Sequence, residues 1–152
     1  MATEVERKFL VEGNSWRQYA HSQAEIAQGY LTSQPDHTVR VRIMGESAYL
    51  TIKGRSQGLS RPEFEYEIPV SQAREILQLC PTSVQKTRYF LTLAPGQWTV
   101  DVFAGANYGL VLLEIEDEDE SRLSALVDLP AWVGKEVSRD AAYTNAVLAK
   151  NV

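Results

Sequence analysis

Charged side chains recur along this 152-residue chain as like-signed pairs separated by one residue. Glu4 and Glu6 come first, with Lys8 two positions on. Arg40 and Arg42, Lys53, Glu63 and Glu65, Lys86 and Arg88, Asp101, and Glu114 and Glu116 follow in that order. On an extended strand, side chains two apart project from one face roughly 7 Å from each other. Each pair therefore sets two like charges side by side. Neighbouring guanidinium and ammonium groups match the oxygens of phosphate. Neighbouring carboxylates suit a hard divalent cation such as Mg²⁺ or Mn²⁺. Found together, the two kinds of pair fit a polyanion accompanied by divalent metal.

The elements that must position these charges read as strands. Over residues 3–11, Val5, Phe9 and Val11 recur at period two, with Arg7 the one charge on their side and Glu4, Glu6 and Lys8 opposite. Gly13-Asn14 breaks the pattern, and Asn14 or Ser15 is placed to cap a helix through about Gln23. Residues 26–33 read as a second strand, turned at Pro35-Asp36. Val39, Val41 and Ile43 alternate with Arg40 and Arg42, and Gly45-Glu46 closes a hairpin into residues 48–53. Residues 54–62, rich in Gly and Ser, read as a mobile loop. Glu63, Glu65 and Glu67 then alternate with Phe64, Tyr66 and Ile68. Ser71 is expected to cap a helix through about Leu79.

Lys86 and Arg88 alternate with Thr87, Tyr89 and Leu91. Beyond Pro95-Gly96, Trp98, Val100 and Val102 oppose Thr99, Asp101 and Phe103. After a turn over residues 105–109, Val111, Leu113 and Ile115 alternate with Leu112, Glu114 and Glu116. The acidic run to Glu120 reads as the start of a helix carrying Leu123, Leu126 and Val127, stopped by Pro130. Asp140 is expected to cap a last helix with Tyr143, Val147 and Leu148. The reading is one domain over residues 1–152, mainly β with flanking helices (α+β), with about eight meander-connected strands.

Composition narrows the function classes. No apolar run approaches the roughly 20 residues of a membrane-spanning helix, and the first residues lack the core of a signal peptide. A net charge of −5 argues against non-specific nucleic-acid binding. The single cysteine, Cys80, has no partner for a disulfide within the chain, which fits a reducing cytoplasm, and is read as packing. His21 and His37, the only histidines, have no ligand-spaced partner and are expected to face solvent.

Two arrangements satisfy the alternation. A sandwich would bury the apolar faces and leave an almost purely ionic surface. A closed barrel would turn the charges inward under an apolar exterior covered by helices, with a lumen of the size eight strands give. Charges in a dry, unpaired lumen would be prohibitive, so the second arrangement requires a wet cavity that receives anion and metal.

Glu4-Val-Glu6-Arg-Lys8 resembles the ExExK signature of the triphosphate tunnel metalloenzymes, the CYTH superfamily. Arg40-x-Arg42, Lys53 in Thr-Ile-Lys-Gly, Glu63-x-Glu65, Lys86-x-Arg88, Asp101 and Glu114-x-Glu116 match the family's order. The likeness runs through Gly134 to Ser138 and Tyr143-Thr-Asn145. The chain is most similar to that family's short bacterial-type inorganic triphosphatases. The resemblance implies a closed eight-stranded antiparallel β-barrel, a tunnel with a charged lumen, and metal-dependent hydrolysis of a small triphosphate. By the same resemblance, Lys8, Arg40, Arg42, Lys53, Lys86 and Arg88 would grip the phosphates. Glu4, Glu6, Glu114 and Glu116 would hold Mg²⁺ or Mn²⁺, with Asp101 as a further ligand. Glu63 and Glu65 would hold a second ion or orient the attacking water.

Tyr30 is open to two readings, as strand packing or as a phenol polarised by Lys53 that takes a proton from water. Inorganic tripolyphosphate leads among substrates, because little of the chain is left outside the tunnel to build a nucleoside or thiamine pocket. Class IV adenylyl cyclase, thiamine triphosphatase and a non-catalytic polyphosphate-binding module are the alternatives. Neither nucleic acid nor membrane is expected as a partner, and a homodimer is the candidate assembly.

Overall fold

Every strand of the sheet pairs antiparallel with its neighbours. The computed structural model describes residues 3–149, with side chains from Val5 onward. In chain order the strands are β1 (Thr3–Val11), β2 (Ala20–Gln34), β3 (His37–Met44), β4 (Ser47–Gly54), β5 (Ser60–Ile68), β6 (Thr82–Leu91), β7 (Gln97–Phe103), β8 (Val111–Glu116) and β9 (Val133–Glu136). Three α-helices accompany them: α1 (Val70–Leu79), α2 (Glu120–Ser124) and α3 (Asn145–Leu148). The hydrogen-bonded order is β5-β4-β3-β2-β6-β7-β8-β1, and β1 pairs back onto β5, which closes an eight-stranded barrel. The seam is short: Thr3 faces Pro62, Glu4 faces Arg61 and Val5 faces Ser60. Past it, the same edge of β1 leaves β5 and takes up β9 at Phe9 and Val11.

Burial assigns the two faces. Val5, Phe9, Leu91, Trp98, Val100, Leu113 and Ile115 point outward into an apolar layer completed by Trp16, Leu123 and Trp132. A second exterior layer joins Val41 and Ala48 to Ala73, Ile76 and Leu77 of α1. The charged faces thus turn inward, and the sandwich alternative falls. Arg7, the odd charge on the outer face, donates to the carbonyls of Leu123 (3.0 Å) and Leu126 (2.7 Å) and forks onto Glu136 (3.0 and 2.7 Å). It thereby ties α2 and the turn after it to β1.

The lumen is blocked at one end. Leu10, Tyr30, Val84, Phe103 and Leu112 share the inward parity of the charges and gather with Val137, Tyr143, Leu148 and Ala149 in an apolar plug. Thr144 caps α3, its hydroxyl accepting from the Val147 N–H at 3.3 Å.

Several local expectations are corrected. The helix expected through Gln23 is a 3₁₀ turn over Ser15–Tyr19. From Ala20 the chain is already β2, because β6 supplies a ladder from Leu91 to Thr87 that satisfies its backbone. Ser71 does not cap α1, whose N-cap position is Pro69, with no side-chain bond. Asp140 caps only the turn Ala141–Tyr143. Helix α2 ends before Leu126 and Val127, and Val127 is 78% exposed. The loop after β4 is shorter than expected, since β5 begins at Ser60. β9, Val-Gly-Lys-Glu, was not anticipated, having no apolar alternation to mark it.

Candidate active site

The cross-strand register decides which charges meet. Arg88 on β6 lies opposite Asp101 on β7 and forks onto it at 2.8 and 2.9 Å. Lys86 Nζ reaches the other side of that carboxylate at 2.7 Å and donates to Asn145 Oδ1 of α3 at 2.9 Å. Glu114 lies opposite Lys8 and sits 3.5 Å from its ammonium and 3.6 Å from Arg88. Lys8 also donates to the Tyr143 carbonyl at 3.2 Å. These groups form the deep layer of the lumen, just above the plug.

Toward the mouth the pairing is looser. Arg40 donates to Thr51 at 3.2 Å and lies 3.6 Å from Glu65, which accepts from the Thr51 hydroxyl at 2.9 Å. Lys53 lies 3.4 Å from Glu63. Arg42 donates to Gln28 Oε1 at 2.8 Å, and Gln28 Nε2 donates to the Tyr30 hydroxyl at 3.1 Å. Arg40, Arg42, Lys53 and Arg88 border a cavity of about 170 Å³ with Glu6, Glu63, Glu65, Glu114, Glu116 and Asn145. Every one of those side chains is polar or charged.

The electrostatics separate the two layers. Burial is the largest influence on Asp101 and would raise its pKa, yet Arg88 and Lys86 together outweigh it and hold the carboxyl well below the usual range. Glu114 behaves alike: burial raises it, while Lys8 and Arg88 bring the net shift down. Burial works to lower Lys8 and Arg88 too, but the surrounding carboxylates leave both raised. Burial pushes Arg42 down, aided by Arg40 and Arg88, and pushes Lys86 down to about 7. Burial and the mutual crowding of Arg40, Arg42, Lys86 and Arg88 both act against cationic charge here, so an anion entering beside them would relieve it.

The expected site residues are placed as follows. Glu6, Lys8, Arg40, Arg42, Lys53, Glu63, Glu65, Lys86, Arg88, Glu114 and Glu116 are on lumen-facing positions of the barrel strands. Glu4 is within β1, but its side chain lies outside the described residues. Asp101 is 1% exposed with both oxygens engaged. Tyr30 is at the plug, 5% exposed, and borders the cavity that Lys53 also borders. His21 and His37 are exposed, and Cys80 packs behind β2 with its thiol on the Ile76 carbonyl.

Sequence reading gave no role to Gln28, Thr51, Arg61 and Asn145. Arg61 has the parity of Glu63 and Glu65, which was the signal for it. Gln28 and Thr51 share the parity of Tyr30 and Lys53, but uncharged side chains do not stand out in a charge pattern. Asn145 comes from α3, beyond any strand.

Divalent metal fits the donors present. Among the described residues no three acidic, His or Cys side chains form a ready-made cage. Glu6 faces Glu116 across the β1–β8 ladder, and both border the polar cavity with Glu114. Such a wall of hard oxygens leaves further positions for water and phosphate, the way Mg²⁺ is commonly held beside phosphates.

Residues 2–133 match the family model of the CYTH domain. An inorganic triphosphatase of Acetivibrio thermocellus is 44% identical over 99% of this chain and 96% of its own length. One from Nitrosomonas europaea is 38% identical over 99% of each chain. A solved structure of an inorganic triphosphatase superposes with a TM-score of 0.71 at 33% identity, covering 100% of this chain and 97% of the other.

Proposed function

The chain belongs to the CYTH domain family, and on that premise we propose that it hydrolyses inorganic tripolyphosphate to pyrophosphate and orthophosphate. The observation that carries this reading is the blind, wholly polar cavity ringed by cations and carboxylates. Water adds to a terminal phosphorus, the bridging P–O bond breaks, and pyrophosphate leaves with the bond's electrons. The protein's part is to position the chain and stabilise charge on non-bridging and leaving oxygens.

In this reading Lys8, Arg40, Arg42, Lys53, Lys86 and Arg88 grip the substrate. Glu6, Glu114 and Glu116, with Glu4, hold Mg²⁺ or Mn²⁺. A cation held there would offset phosphate charge and lower the pKa of water beside it. Asp101, expected as a ligand, instead holds Lys86 and Arg88 upright, because both its oxygens are already taken. Glu63 and Glu65 orient water at the mouth, and Lys53 shares that duty. Tyr30 positions rather than catalyses: its hydroxyl accepts from Gln28 against the apolar plug. The chain acts as one domain, in the cytoplasm, on a small triphosphate. A homodimer would bury Ile52, Phe64 and Tyr66, exposed on the outer face of β4 and β5.

A phosphate-release screen with Mg²⁺ and with Mn²⁺ tests the proposal. Tripolyphosphate is expected to exceed ATP, thiamine triphosphate and pyrophosphate. Glu116→Gln should lower activity and shift its metal dependence to higher concentration. Lys53→Ala should lower kcat, with Tyr30→Phe close to wild type. Preference for ATP with cyclic product would favour a cyclase. Tight tripolyphosphate binding without phosphate release would favour a binding module.

A further inference from the structure

One more cation stands on the lumen face of β5, and among the described residues it makes no ion pair. Arg61 is half-buried, and its Nε is shielded from water with no hydrogen-bond partner. It borders two cavities at once. The first, about 60 Å³, continues the lumen beside Lys8, Arg40 and Lys53. The second, about 70 Å³, lies between the loop of residues 55–59 and the segment of residues 137–144. Glu6, Lys8 and Thr144 border both. They meet where β1 passes from the Leu59 carbonyl, which takes the Glu6 N–H at 3.3 Å, to Val137 and Ser138, which bond Lys8, and the lateral opening there is the cavity between these two flanking segments.

A guanidinium N–H buried without an acceptor is costly, and an oxyanion supplies the acceptor. The outer cavity also presents the Ser56 hydroxyl and the carboxylates of Glu6 and Asp140, while the Ser138 hydroxyl on its wall is taken by the Lys8 N–H and Glu136. A fully ionised anion would be repelled by those carboxylates. Orthophosphate near neutral pH still carries P–OH groups, which donate to a carboxylate while its bare oxygens accept from Arg61. We propose that Arg61 anchors an orthophosphate subsite in this lateral opening, by which phosphate cleaved in the lumen departs while pyrophosphate still occupies it. The subsite's place in turnover rests on the triphosphatase reading.

Calorimetric titration of orthophosphate into wild-type protein saturated with sodium pyrophosphate tests it. Wild type is expected to bind one further orthophosphate. Arg61→Gln should weaken that event at least tenfold more than it weakens pyrophosphate, and Arg61→Lys should recover part of the loss. Ser56→Ala, a milder change in the outer cavity, should weaken the second event alone and guards against misfolding of the Arg61 variants. No second event in wild type, or equal second events in wild type and both Arg61 variants, overturns the subsite. A second event in a protein that releases no phosphate from tripolyphosphate leaves the subsite standing and overturns its part in turnover.

Discussion

Lys86 has no side-chain surface in contact with water. Its ammonium is wedged between Asp101, Asn145 and the Phe103 ring, whose centroid is 5.4 Å away. Burial brings its pKa down to about 7, with Arg88 and Arg42 acting the same way and Asp101 resisting. An arriving phosphate adds negative charge and draws a proton onto it. At pH 8, pyrophosphate binding is therefore expected to take up as much as one proton, read from how the binding heat varies with buffer ionisation enthalpy. Affinity should fall by up to about tenfold per pH unit above the pKa. Lys86→Arg should abolish the uptake, and wild type without uptake at pH 8 would overturn this assignment. The stability sign follows: between about 7 and the unfolded value near 10.4 the unfolded chain holds more protons, so this residue makes stability rise with pH there. The charges themselves were legible from sequence, because alternation fixes a side chain's face. Their partners were not. Asp101 meets Arg88 only through the β6–β7 register, which no local pattern specifies.

Among the elements, α1 and β2 show how closely the outer layer and the lumen are joined. Gly29 lies between Gln28 and Tyr30, both lumen-facing, and a Cβ there would stand 2.8 Å from Cys80 Cβ and Sγ and 3.0 Å from Leu77. Its lack of a side chain lets the end of α1 rest on β2. Gly29→Ala is expected to destabilise the protein by about 1–3 kcal/mol through overpacking, measured by urea unfolding. Cys80→Ala should recover part of that by removing Sγ. An unchanged midpoint in Gly29→Ala would show that α1 yields freely. Elements with strong periodicity were legible, namely β1 and β3 to β8. The extension of β2, the wedge β9 and the start of the plug helix α3, which Thr144 rather than Asp140 caps, were not. Each is set by what it packs against: β6 for β2, the vacated edge of β1 for β9, and the apolar end of the lumen for α3.

Taken whole, the molecule stores like charges in a confined lumen, and an anion should relieve them. Pyrophosphate at 100 times its Kd should stabilise the fold by about 2.7 kcal/mol. For a chain of this size that raises Tm by roughly 5–10 °C. Thermal unfolding with and without pyrophosphate reads this directly, and an unmoved Tm would count against binding in the lumen. The route of the chain has a consequence of another kind. β1 bonds to β8, β9 and β5, and a hundred residues separate Val11 from Val111, where β8 begins. On a ribosome adding about 5–20 residues per second, the first strand of the barrel waits on the order of 5–20 s for the partner that covers its full edge. Through that interval Val5 and Phe9 are without the layer that later buries them, and their cover falls to whatever holds nascent chains. Closing the ring therefore waits until β8 has been made, and synthesis sets the earliest moment at which the barrel exists.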